Sequence, residues 1–219
     1  MSEYRLRPYR PEDHPHIYEI LKATLALGEP LPFPVMDLDD QLQLFVEYYL
    51  QHEPLLARVA EDERGRLVGY QLCTLHAAEA EAWRTRQAIR FGWQMFWRWP
   101  AYDAFTRLYY RLRLRDALET LRDRTPFLPA HMHWHFLPEV RGRLFQDCLS
   151  FFQEHCRRAG VAAGGGEIIV DERHRRTHWQ RIGITPVGEA PHHTLSVILG
   201  KPVWRVMLRA TPQEARPYF

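Results

Sequence analysis

Residues 129–146 read PAHMHWHFLPEVRGRLFQ. His131, His133 and His135 alternate with Met132 and Trp134, the two-residue period of a strand, so residues 131–137 are expected to be one. The run 138–142 (PEVRG) breaks the pattern and reads as a turn. From Arg143 the apolar positions 144, 145, 148, 149, 152 and 156 recur at helical spacing as far as Arg158, and Gly160 closes the helix. Everything else in the chain is arranged around this strand, turn and helix.

Upstream, residues 4–9 (YRLRPY) suggest a short strand. A helix capped by Asp13 follows, with Ile17, Ile20, Leu21 and Leu25 on one face. Residues 27–34 hold Gly28, Pro30, Pro32 and Pro34 and must be a loop. Residues 38–51 form a second helix on Leu42, Phe45, Val46 and Tyr49. Residues 55–61 and 67–75 flank DERGR (62–66) as a hairpin. From 77 to about 125 the pattern is helical and aromatic, divided by Pro100. Downstream, Gly164, Gly165 and Gly166 lead into a strand at 167–170, and a short helix is expected at 173–182. Two last strands are expected, one near 186–189 running on toward Leu199 and one at 203–208. The order predicts an α/β (α+β) fold: a mixed central sheet of six to seven strands, with a helical insertion between the third and fourth. One domain over 1–219 suits the length.

Composition narrows the function. A net charge of +2 does not suit a general nucleic-acid binder, so the arginines and aromatics of 83–115 are better spent on packing than on base stacking. No apolar run reaches the roughly 18 to 20 residues of a membrane span, and MSEYRLRPYRPED is too polar for a signal peptide, so a soluble, cytoplasmic protein without a membrane partner is expected. Cys73, Cys148 and Cys156 lack metal or disulfide spacing and read as core thiols. Three imidazoles on one strand face would be structural, acid–base groups or metal ligands. Same-face neighbours lie about 6.6 Å apart, which strains a three-histidine site, so no metal is expected.

Five stretches, YRLRPYRPEDH (4–14), VAEDERGRLVGYQL (59–72), PAHMHWHFLPE (129–139), LPEVRGR (137–143) and WQRIGI (179–184), together resemble the GNAT superfamily of N-acetyltransferases. PAHMHWHFLPE is similar to a segment of the bacterial acetyltransferases related to the acetyltransferase-like domain of O-GlcNAc hydrolases. The resemblance implies acetyl-CoA as acyl-donor cosubstrate and the primary amine of a small molecule or peptide as acceptor. It implies that His135, Phe136 and Leu137 offer backbone groups to pantetheine. The turn and helix start at Arg141, Gly142, Arg143, Leu144, Phe145 and Gln146 would face the pyrophosphate. Leu144 and Gln146 stand where the family motif has glycine, and Trp179 where it has a tyrosine that protonates the departing thiolate. His178 or water would have to supply that proton, and the family asparagine falls near Glu172. The family aspartate position reads His135, which makes His135 the first candidate base, with His133 and Glu139 behind it. The departures imply a second possibility, a GNAT-shaped protein that binds acyl-CoA or a partner without transferring acetyl. The aromatic insertion is expected to cover the site or to form a homodimer face.

Overall fold

The computed structural model describes residues 4–122, 126–140, 143–171 and 184–211. In chain order it contains β1 (Arg5–Pro8), α1 (His14–Ala23), α2 (Leu38–His52), β2 (Ala57–Glu61), β3 (Leu67–Thr74), α3 (Ala77–Arg98) and α4 (Ala104–Arg122). Then come β4 (Ala130–Phe136), α5 (Arg143–Arg158), β5 (Gly164–Val170), β6 (Ile184–Pro191), α6 (His193–Leu199) and β7 (Trp204–Ala210). The seven strands make one mixed sheet ordered β1-β2-β3-β4-β5-β7-β6, in which β4 and β5 are parallel. The helical insertion, α3 and α4, lies between the third and fourth strands as expected.

Alternation along the strands divides the core. Val59, Tyr70 and Leu72 pack under Ile17, Ile20, Leu21, Leu42 and Val46 of α1 and α2. On the opposite face Cys73, Met132, Val206 and Leu208 pack under Leu149, Phe152 and Cys156 of α5. All three cysteines are buried. The outer side of α5 is held by Glu154, which pairs with Arg157 and Arg158 at 2.8 and 2.7 Å, three and four residues on. The β2–β3 hairpin turns where Asp62 Oδ1 accepts from the Arg64 and Arg66 amides at 2.9 and 3.0 Å, with Gly65 at φ 76°.

Two expectations need correction. Residues 193–199 are not a continuation of a strand but the helix α6. Its first turn is capped from α4: Asp116 accepts from the His193 amide at 2.7 Å and from the Thr194 amide and hydroxyl at 3.2 and 2.6 Å. Gly200, at φ 62°, closes the other end. Asp13 does hold the N-cap position of α1, but its carboxylate makes no cap bond there. It accepts from the Arg10 amide at 2.8 Å and binds both terminal nitrogens of Arg7 at 2.7 and 2.8 Å. The expected helix at 173–182 lies outside the described residues.

The insertion packs inward through Phe91, Tyr102, Tyr109 and Tyr110, while Trp93, Phe96 and Trp97 of α3 are 61, 64 and 75 % exposed. Among the described residues no helix is long and apolar enough to cross a membrane.

Candidate active site

The parallel neighbours β4 and β5 pair at Ala130↔Gly164 and His131↔Gly165 and then part. Each continues beyond that point, paired on its far side: β3 follows β4 to Phe136, and β7 follows β5 to Val170. The sheet therefore opens into a V at its centre. The three glycines of β5 are needed at the root. A Cβ on Gly164 would lie 2.3 Å from the Phe152 ring, and one on Gly166 only 2.5 Å from Met132 O and 2.8 Å from the Trp134 indole. The Leu137 amide donates to Val68 O at 2.9 Å. By alternation, the backbone groups of Phe136 then turn the other way, into the V.

One wall of the V carries the histidines, on the face covered by α1 and α2. Tyr49 hydroxyl lies 2.7 Å from His131 Nδ1, and Tyr70 hydroxyl 3.2 Å from His133 Nε2. Burial pushes both phenol pKa values up, so these phenols stay protonated and each shares one hydrogen bond with its imidazole. His135 differs. Its Nδ1 lies 2.6 Å from Thr24 Oγ1, and that hydroxyl is 2.8 Å from Ile20 O, four residues back in its own helix. With the threonine proton on Ile20 O, His135 Nδ1–H donates to Oγ1 and Nε2 keeps a free lone pair. His133 and His135 rings sit 5.0 Å apart, and Tyr70 stacks on His135 at 5.6 Å. Burial lowers all three imidazoles, His131 to about 3 and His135 to about 4, with His133 also pushed down by its two neighbours and Arg84. They are neutral at pH 7.

The opposite wall is β5. Because His131 and Gly165 are paired, Glu167 points to the same face as the histidines. Its carboxylate is 3.4 Å from Arg205 Nε, and its side chain is 35 % exposed. Burial raises its pKa, against the opposing pull of Arg205 on β7, Arg113 on α4 and Arg84 on α3, and with a push from Asp116. Arg113 lies over the Phe45 ring at 5.8 Å, and Phe45 stacks on His133 at 6.5 Å. Insertion, second helix and both strands thus meet around one cleft. The proline-rich loop between α1 and α2 borders a separate apolar cavity of about 270 Å³, lined by Leu25, Leu31, Phe33, Leu38 and one cation, Lys22.

At the far end of β4 the chain turns through Leu137–Val140, with Val140 N bonded to Leu137 O at 2.9 Å, and α5 opens at Arg143. Leu144 is buried against Ala60, Val68 and Val140, Phe145 packs on Trp134 at 5.3 Å, and Gln146 is exposed. Leu144, the first of the two glycine replacements, therefore turns into the core at the start of α5. Arg141, Gly142 and Trp179, with Glu172 and His178, lie outside the described residues. Glu139 sits at the surface, paired with Arg66 at 2.8 Å.

No protein-family description and no curated protein matches the chain; solved structures do. SsHAT aligns with a TM-score of 0.61 at 20 % identity over 97 % of this chain and 100 % of its own. A polyamine N-acetyltransferase of Drosophila melanogaster, which forms N-acetylagmatine, aligns at 0.53 with 15 % identity over 95 % and 100 %. yncA of Salmonella typhimurium, solved with its cofactor acetyl-CoA, aligns at 0.52 with 17 % identity over 100 % and 99 %. This is the GNAT acyltransferase fold. Within it, the expected strand, turn and helix are β4, the turn 137–140 and α5.

The sequence reading of this GNAT fold missed Glu167, Arg205, Arg113 and Asp116. The first had a signal, being the charged residue in the otherwise uncharged strand GGGEIIV. Its relation to the histidines needs the β4–β5 register, which no local pattern carries.

Proposed function

We propose that the protein transfers an acetyl group from acetyl-CoA to a primary amine of a small molecule or peptide. The observation that carries this reading is the parting of β4 and β5 beside the first turn of α5. Free backbone groups there suit an amide-bearing arm, and a helix N-terminus suits a diphosphate. Phe136 and Leu137 would line the arm, and the amides of Arg143, Leu144, Phe145 and Gln146 would face the phosphates together with Arg141 and Gly142. Acetyl-CoA would supply an acetyl group activated as a thioester. The chain's part is to hold the amine in line and to place N–H groups where negative charge develops on the carbonyl oxygen.

In this reading His135 Nε2 accepts a hydrogen bond from the attacking nitrogen, and His133 beside it excludes water. A side chain whose conjugate acid lies near 4 is a weak sink for an alkylammonium proton, so His135 is proposed to orient rather than to keep that proton. The neutral imidazoles also add no positive charge to repel a cationic acceptor. Acetyl transfers by solved neighbours to polyamines and agmatine favour a small cationic amine.

The test is release of CoA thiol with a panel of primary amines, agmatine included. The reading predicts turnover for at least one amine, and a loss of about 10-fold or more in kcat with unchanged acetyl-CoA affinity for His135→Ala. Binding of acetyl-CoA without turnover of any amine would favour the second reading, a GNAT-shaped acyl-CoA binder, which Leu144, Gln146 and Trp179 at the altered motif positions support.

A further inference from the structure

We propose that Glu167 is the catalytic residue that takes the proton from the acceptor's ammonium nitrogen. The inference deepens the acetyl-transfer reading and rests on it.

Position is the first argument. Glu167 stands two residues past the last β4–β5 pair, on the face of the three histidines and across the V from them. A nitrogen reaching an acetyl group held in the V from that face passes between His135 and Glu167. Partnership is the second. Asp116 is committed to the first turn of α6, and Glu139 to Arg66 at the surface. Glu167 instead meets Arg205 side-on at 3.4 Å, and Arg205 is tethered to Thr120 at 2.5 Å, so the carboxylate is held in place yet still open to the cleft. Environment is the third. The charged groups facing Glu167 are Arg205 on β7, Arg113 and Asp116 on α4 and Arg84 on α3, with neutral His133 across the gap. Neighbouring atoms crowd its carboxylate enough to raise its pKa against the pull of those arginines, while 35 % of its side chain stays open to an incoming amine.

The step balances as follows. The ammonium gives one proton to the Glu167 carboxylate, and its freed lone pair attacks the thioester carbonyl carbon. The C–S bond then breaks, and the sulfur leaves with that electron pair. The second proton lost by the nitrogen goes to the thiolate, and Glu167 returns its own proton to solvent. The products are the amide, CoA thiol and one released proton.

The experiment compares two probe amines with acetyl-CoA: agmatine, protonated at pH 7, and hydroxylamine, already neutral there and needing no base. Glu167→Gln should lose about 100-fold or more in kcat/KM on agmatine, change less than about threefold on hydroxylamine, and bind acetyl-CoA as the wild type does. The acid limb of the wild-type agmatine profile should vanish in Glu167→Gln. Glu167→Asp, which keeps a carboxylate, should recover part of the rate. Equal losses on both amines, or none on either, would overturn the assignment while leaving acetyl transfer intact. Should agmatine not turn over, the protonated probe is whichever amine of the panel does; acetyl-CoA binding without turnover of any amine would overturn acetyl transfer itself, and the assignment with it.

Discussion

His131, His133 and His135 are three neutral bases in one cleft, and their burial has a consequence for stability. Each has a folded-state pKa pushed below the ordinary value near 6.5, to about 3 for His131 and about 4 for His135. The unfolded chain therefore binds more protons, and stability present above pH 6.5 is lost as pH falls toward 4. At pH 5.5 each buried imidazole should cost about 1 kcal/mol relative to pH 7.5. Urea unfolding at the two values should show the drop, and His131→Phe should remove about 1 kcal/mol of the difference. A difference unchanged by the substitution would mean that His131 titrates normally. At this scale the sequence was partly legible. Period-two spacing brought the histidines to one face, but the bonds that divide their roles come from Thr24, Tyr49 and Tyr70, which are 111, 82 and 63 residues away. Glu167 stayed hidden because its face depends on a strand pairing only two residues long.

Among the elements, β5 shows why a glycine run sits in a buried strand. The backbone of Gly166 passes close to Met132 O, and a methyl group there would meet it at 2.5 Å. Neither strand can yield without moving Trp134, which is wedged between Gly166 and Phe145. Gly166→Ala should therefore cost about 1 to 3 kcal/mol in denaturant unfolding; wild-type stability would mean that β5 has room to shift. Elements whose signals are local were readable: the hairpin from Asp62 and Gly65, α5 from its apolar stripe, the break at Pro100. The helix α6 was not, because His192 to Leu199 holds Val197, Ile198 and Leu199 at strand-like density. Its helical state depends on the Asp116 carboxylate reaching it from α4, across 77 residues of sequence.

For the whole molecule, the order of strands and helices followed from hydrophobic period and turn residues, and the GNAT fold with it. The insertion's placement did not, since aromatic spacing says where a helix lies but not which cleft it roofs. In the structure α4 reaches the cleft through Arg113, which lies over the Phe45 ring, while the outward aromatics of α3 stay exposed. The account stands on the open V between β4 and β5 seating the acyl donor. Isothermal calorimetry with acetyl-CoA up to millimolar concentration tests it most directly. The account predicts a saturable heat with one site per chain; no heat across that range would contradict it.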